Sequence, residues 1–113
     1  MQLITDKIAV AELKEMSEKM FNNLVKAVVD IKRKVMVVDA EMHSDQEEFL
    51  LENGSEQQDL WGINLYPQEV GDEFIEFDSM INVRPKQENR SRYVHDPKIR
   101  EEIIKIVHAL VQK

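Results

Sequence analysis

Two short runs set ionisable side chains at a spacing that could do chemistry. Asp39-x-Glu41-x-His43 and Glu76-x-Asp78 place carboxylates and one imidazole on alternate positions. On a strand, alternate residues share a face and lie about 7 Å apart. Carboxylates with an imidazole suit a hard or borderline divalent ion that could activate water. The metal-ligand candidates are therefore Asp39, Glu41, His43 and Asp78. Without a metal, crowded carboxylates raise one another's pKa and suit general acid–base work, with Asp39, Glu41, His43, Glu76 and Asp78 as the catalytic candidates. No fixed metal-binding spacing is matched. The plain alternative is a solvated sheet face whose charges block aggregation.

A second cluster, Arg84-Pro85-Lys86-Gln87-Glu88-Asn89-Arg90-Ser91-Arg92, puts four positive residues within nine positions. Guanidinium forks suit phosphate or carboxylate. Arg84, Arg90 and Arg92, with Asn82, are candidates for binding an anion or an acidic partner. The alternative is that these arginines pair internally with Glu76, Asp78 or Asp39 and pin the loop, as expected where acids outnumber bases.

Positioning these residues requires a particular order of elements. Leu3 to Ile8 is apolar enough for a short edge strand. Val10, Leu13, Met16 and Met20 recur at helical spacing, and the helix they predict ends near Asn22-Asn23. Leu24 to Ile31 and Val35 to His43 read as a hairpin whose turn, Lys32-Arg33-Lys34, lacks Gly and Asn. Ser44-Asp45-Gln46-Glu47 has capping-box spacing before Phe49, Leu50 and Leu51, and Gly54 suits the position past the helix end. Asp59 to Tyr66 is a third strand, with Trp61, Ile63 and Leu65 on its core face and Gly62 marking a bulge or a close backbone approach. Glu73 to Arg84 alternates well and reads as a fourth strand. Pro85 to His95 is a polar loop. Asp96-Pro97 opens a last helix with the stripe Ile99, Ile103, Ile106, Val107 and Leu110. Met16, Met20, Met36 and Met42 read as adaptable core.

The expected fold is α+β. It is a four-stranded, mainly antiparallel sheet in the order α-β-β-α-β-β-α, with helices packed mostly on one face. The other face would then gather Lys26, Asn64 and Tyr66 with the candidate acids.

Composition bounds the function. The chain has 113 residues, which fits one domain, 1–113. It has no cysteine, so disulfides, thiolate zinc sites and cysteine nucleophiles are excluded. The net charge of −7 disfavours binding to phosphate backbones, so nucleic acid is not an expected partner. The first residues do not read as a signal peptide, and the apolar runs are too short for a membrane span. A cytoplasmic location is expected.

Five blocks carry a family resemblance: Ala27 to Ile31, Val38 to His43, Gln58 to Asn64, Glu76 to Pro85 and Asn89 to Arg92. Phe77-Asp78-Ser79-Met80-Ile81-Asn82 and Asn89-Arg90-Ser91-Arg92 are the distinctive ones. Together they resemble a family of small single-domain prokaryotic proteins of unknown function. The resemblance implies a free-standing domain and no assigned activity.

Two functions compete on the residues alone. One is a binding or regulatory module, not an enzyme, acting through the polar sheet face and the Arg-rich loop. Its partner would be a second copy, as a homodimer, or another protein, and it needs no cofactor. The other is a metal-dependent hydrolase or nuclease using the acidic cluster and a divalent metal. A toxin-type ribonuclease fits least, because it needs a basic footprint.

Overall fold

The β-branched stretches build a sheet, and the stretches with helical apolar spacing cover it. The computed structural model describes residues 1–113. In chain order the elements are β1 (Gln2–Ile4), β2 (Ile8–Ala9), α1 (Val10–Met20), β3 (Val25–Asp30), β4 (Val35–Val38), α2 (His43–Glu52), β5 (Leu60–Leu65), β6 (Ile75–Glu76), α3 (Pro97–Leu110) and β7 (Val111–Gln112). Short 3-10 turns lie at Gln57–Asp59, Gly71–Glu73, Met80–Asn82 and Pro85–Gln87.

The main sheet runs β1-β4-β3-β5-β6 and is antiparallel throughout. It has five strands rather than the expected four, because the apolar start of the chain pairs with β4, Leu3 opposite Val37. The remaining two strands, β2 and β7, form a small parallel ribbon that ties Ile8 to Val111. The β3–β4 turn works without Gly or Asn because Asp30 Oδ1 accepts from the Lys32 and Arg33 amides at 2.9 and 3.0 Å. Lys34 takes the left-handed conformation that closes it, φ +59°.

The two sheet faces bury different sets. Ala27, Val29, Met36, Val38, Trp61 and Ile63 pack with Leu13 of α1 and Ile103, Ile106, Val107 and Leu110 of α3 in the larger core. On the other face Val28, Val35, Val37 and Leu60 pack with Leu50 of α2. Two helices therefore share one face, and α2 lies across the middle of the other. The face drawn above as open and polar is largely covered. Of the four methionines expected as core, Met36 is buried and Met16 packs partly against the core, whereas Met20 and Met42 are exposed.

Two strand boundaries differ from the expected ones, and both matter for the candidate residues. β4 stops at Val38, because Asp39 adopts φ +68° and turns the chain out of the sheet. Helix α2 then begins at His43, with Met42 before it and no side-chain cap, so the Ser44 capping box does not form. The long alternating stretch from Glu73 contributes only Ile75–Glu76 to the sheet. Beyond it, side chains do the work of a ladder. Asn82 accepts from the Gly62 amide through Oδ1 at 2.8 Å and donates to the Gly62 carbonyl through Nδ2 at 2.9 Å. This pairs a side-chain amide with the backbone of β5 where a strand partner would stand. The approach is close enough that a Cβ on Gly62 would meet Ser79 Cβ at 2.5 Å, as the bulge-or-approach reading of Gly62 anticipated.

Candidate functional site

The segment from Ser79 to His95 is irregular but tightly stapled. Asn89 is buried and donates to the Asn82, Ser91 and Tyr93 carbonyls, while its Oδ1 accepts from the His95 amide. Arg84 is also buried. Its guanidinium donates to the carbonyls of Ile81, Gln57 and Leu60 and to Gln87 Oε1, and lies 4.3 Å from the centre of the Trp61 ring. Burial lowers its pKa, with the Glu47 charge opposing. Asn82 and Arg84 thus spend their donors inside the molecule, and neither is free to hold an anion. Of the other two arginines in that set, Arg90 is exposed, and Arg92 forms the one salt bridge, Nε to Asp78 Oδ1 at 2.6 Å. Internal pairing is what the structure shows for Arg92.

Tyr93 of this segment lines an open cleft of about 590 Å³. The rest of the lining is Tyr66, just past β5, and side chains between Asp72 and Asp78, around β6. Four carboxylates line it, Asp72, Glu73, Glu76 and Asp78, with three aromatic rings, Tyr66, Phe77 and Tyr93. Register explains the centre of the site, since Asn64 of β5 stands opposite Glu76 of β6. Asn64 Nδ2 donates to Glu76 Oε1 at 2.8 Å, and the Tyr66 hydroxyl donates to the same oxygen at 2.8 Å. Burial, then the hydrogen bond and charge of Glu76, push the Tyr66 phenol up to about 12. Asn64 is 6% exposed, and its Oδ1 has no partner. Tyr93 meets Phe77 edge-on at 6.1 Å, and the Arg100 guanidinium sits 5.0 Å from the Tyr93 ring.

His43, at the start of α2, is buried. Its Nε2 is 2.7 Å from the Ile63 carbonyl, so that nitrogen carries the proton and donates. Burial is the main cause of its lowered pKa; the Ile63 hydrogen bond and the Asp78 charge oppose it, and Lys26 and Arg92 lower it further. The imidazole is neutral near pH 7.

A family model described as "Protein of unknown function (DUF5674)" matches residues 2–110. The chain belongs to the DUF5674 family. No curated protein and no solved structure matches it.

In this DUF5674 chain the five acid–base candidates divide into two groups. His43, Glu76 and Asp78 share one region, near enough that the Asp78 charge acts on His43. Asp39 lies elsewhere, in a depression shared with Asp45, Glu48 and Glu52 of α2, and Glu41 is exposed. No three His, Asp or Glu side chains converge as a metal-binding group. The separation follows from Asp39 leaving the sheet and His43 joining α2. Asn64 and Tyr66, expected on the polar face with the candidate acids, do stand beside Glu76, whereas Asp72, Glu73 and Tyr93 were not among the site candidates. Tyr93 carried a fainter signal, an aromatic ring within a polar loop. Ser91 Oγ and His95 Nε2 are 2.6 Å apart on the exposed side of the same loop.

Proposed function

We propose that the chain is a binding module whose acidic, aromatic cleft takes a cationic group. The observation that carries this is the lining itself, four carboxylates and three aromatic rings around one opening. Carboxylates attract an ammonium or guanidinium, and aromatic faces stabilise it further through their quadrupoles. Two of the lining acids are already engaged, Glu76 with Tyr66 and Asn64 and Asp78 with Arg92. Arg92 acts as a placeholder at the rim. Its ion pair is exposed, 54% and 43% on the two side chains, so an incoming cation displaces it at small cost. The binding-module reading made from sequence is kept, with its charge preference reversed from an anion on arginines to a cation on acids. The hydrolase or nuclease alternative loses support, because Asp39 and Glu41 stand apart from His43 and Asp78.

The test compares Nα-acetyl-arginine amide with its neutral isostere, Nα-acetyl-citrulline amide, by calorimetric titration. Heat of binding is expected for the arginine compound alone. Equal binding of the two would remove the charge argument.

A further inference from the structure

We infer that the cleft is one end of a longer groove, and that its occupant is a segment of a partner protein carrying a lysine or arginine near a large apolar side chain. The inference rests on the cationic reading above and extends it. A second cavity, of about 380 Å³, opens between Gly71 and the α3 residues Ile104 and His108. It shares Asp72, Ile75, Phe77 and Tyr93 with the acidic cleft, so the two openings are halves of one groove.

The halves differ in chemistry. Glu73, Glu76 and Asp78 belong to the first half only, whereas the second adds Ile104 and His108 and no further acid. Ile104 is 37% exposed, although its neighbours Ile103 and Ile106 are buried in the core. Tyr93, at the junction, is 45% exposed, and Val70, next to Gly71, is 76% exposed. Ile104 and Tyr93 line the same opening, so an apolar side chain entering it would cover both. A free polyamine would satisfy the acids and leave the apolar half bare. A membrane would meet acids facing anionic headgroups, which repel them. A polypeptide segment satisfies both halves, the cation among the acids and the apolar side chain against Ile104 and Tyr93.

The probes are fluorescein-labelled decapeptides of Gly and Ser that carry one Arg and one Leu, with the Leu one to four residues from the Arg. Controls replace Leu by Ser, or Arg by citrulline. At one or more spacings the Arg–Leu peptide is expected to bind about tenfold more tightly than its Ser control, as burial of one apolar side chain implies. Ile104→Gln, on the exposed side of α3, is expected to remove the advantage of Leu over Ser. If Leu gives no advantage while the Ser control still binds and Asp78→Asn weakens it, the extended groove is overturned and the cationic cleft stands. If arginine and citrulline peptides bind alike, or none binds, both fall. Concentration-dependent dimerisation abolished by Ile104→Gln would make a second copy the occupant and overturn the choice of partner.

Discussion

Tyr66 lines the cleft and His43 feels the charge of the cleft residue Asp78, and each makes its environment measurable through pH. The chain has two tyrosines, so in a Tyr93→Phe protein the phenolate absorbance belongs to Tyr66. Its midpoint is expected at about 12, and Glu76→Gln should bring it down towards 10.0 without reaching it, because burial, the larger cause, remains. A midpoint at 10.0 before that substitution would show that the Tyr66–Glu76 hydrogen bond is not held in solution. His43 acts on stability. Its folded pKa lies below the ordinary 6.5, so near and below that pH the unfolded chain binds more protons than the folded one. Its contribution is present above pH 6.5 and is lost as pH falls from 6.5 through the lowered value. Urea midpoints measured between pH 7.5 and 5 should fall less steeply in His43→Gln than in the native sequence. Identical slopes would mean that the imidazole is not held neutral against Ile63.

At the scale of elements, the sheet was legible where side chains only pack and illegible where they replace backbone. Trp61, Ile63 and Leu65 lie in the larger core as read, and the alternating Val25, Ala27 and Val29 join them there. The Asp96-Pro97 start of the last helix held too, with Asp96 Oδ1 accepting from the Lys98 amide at 2.9 Å. Glu73 to Arg84 alternated as well as any strand, yet only Ile75–Glu76 pairs. The pattern misled because Asn82 is polar in sequence but fully buried, with its amide spent on Gly62. Likewise Asp39 takes a left-handed turn, which aspartate tolerates better than most residues but which the run Val35 to His43 did not reveal, and that turn moved His43 from strand to helix. Asn82→Ala tests this substitute ladder. It leaves the Gly62 amide and carbonyl buried without partners, so unfolding in urea should show a loss of about 3 kcal/mol. A loss below about 0.5 kcal/mol, the range of ordinary surface changes, would mean that water or a neighbour replaces the pairing. Gly62→Ala should destabilise as well, since its Cβ would fall 2.5 Å from Ser79 Cβ and that side chain is itself buried.

Across the whole molecule the net charge is −7, and four of its 22 acids line this one cleft. No helix is long and apolar enough to cross a membrane. The long-range field therefore favours the approach of a cation, and salt should weaken that approach. In the distinctive Asn-Arg-Ser-Arg block, Arg92 is held by Asp78, a lining residue of the cleft, and Arg90 is exposed. The most direct measurement is an amide-resolved NMR titration of the native chain and of Glu76→Gln/Asp78→Asn with Nα-acetyl-arginine amide. The prediction is that shifts cluster at Tyr66, Glu76, Asp78 and Tyr93 in the native chain, shrink as salt is raised, and vanish in the double variant. Shifts that cluster around Asp39 and Glu48, or that persist unchanged in the double variant, would contradict the assignment of the cleft as a cation-binding site.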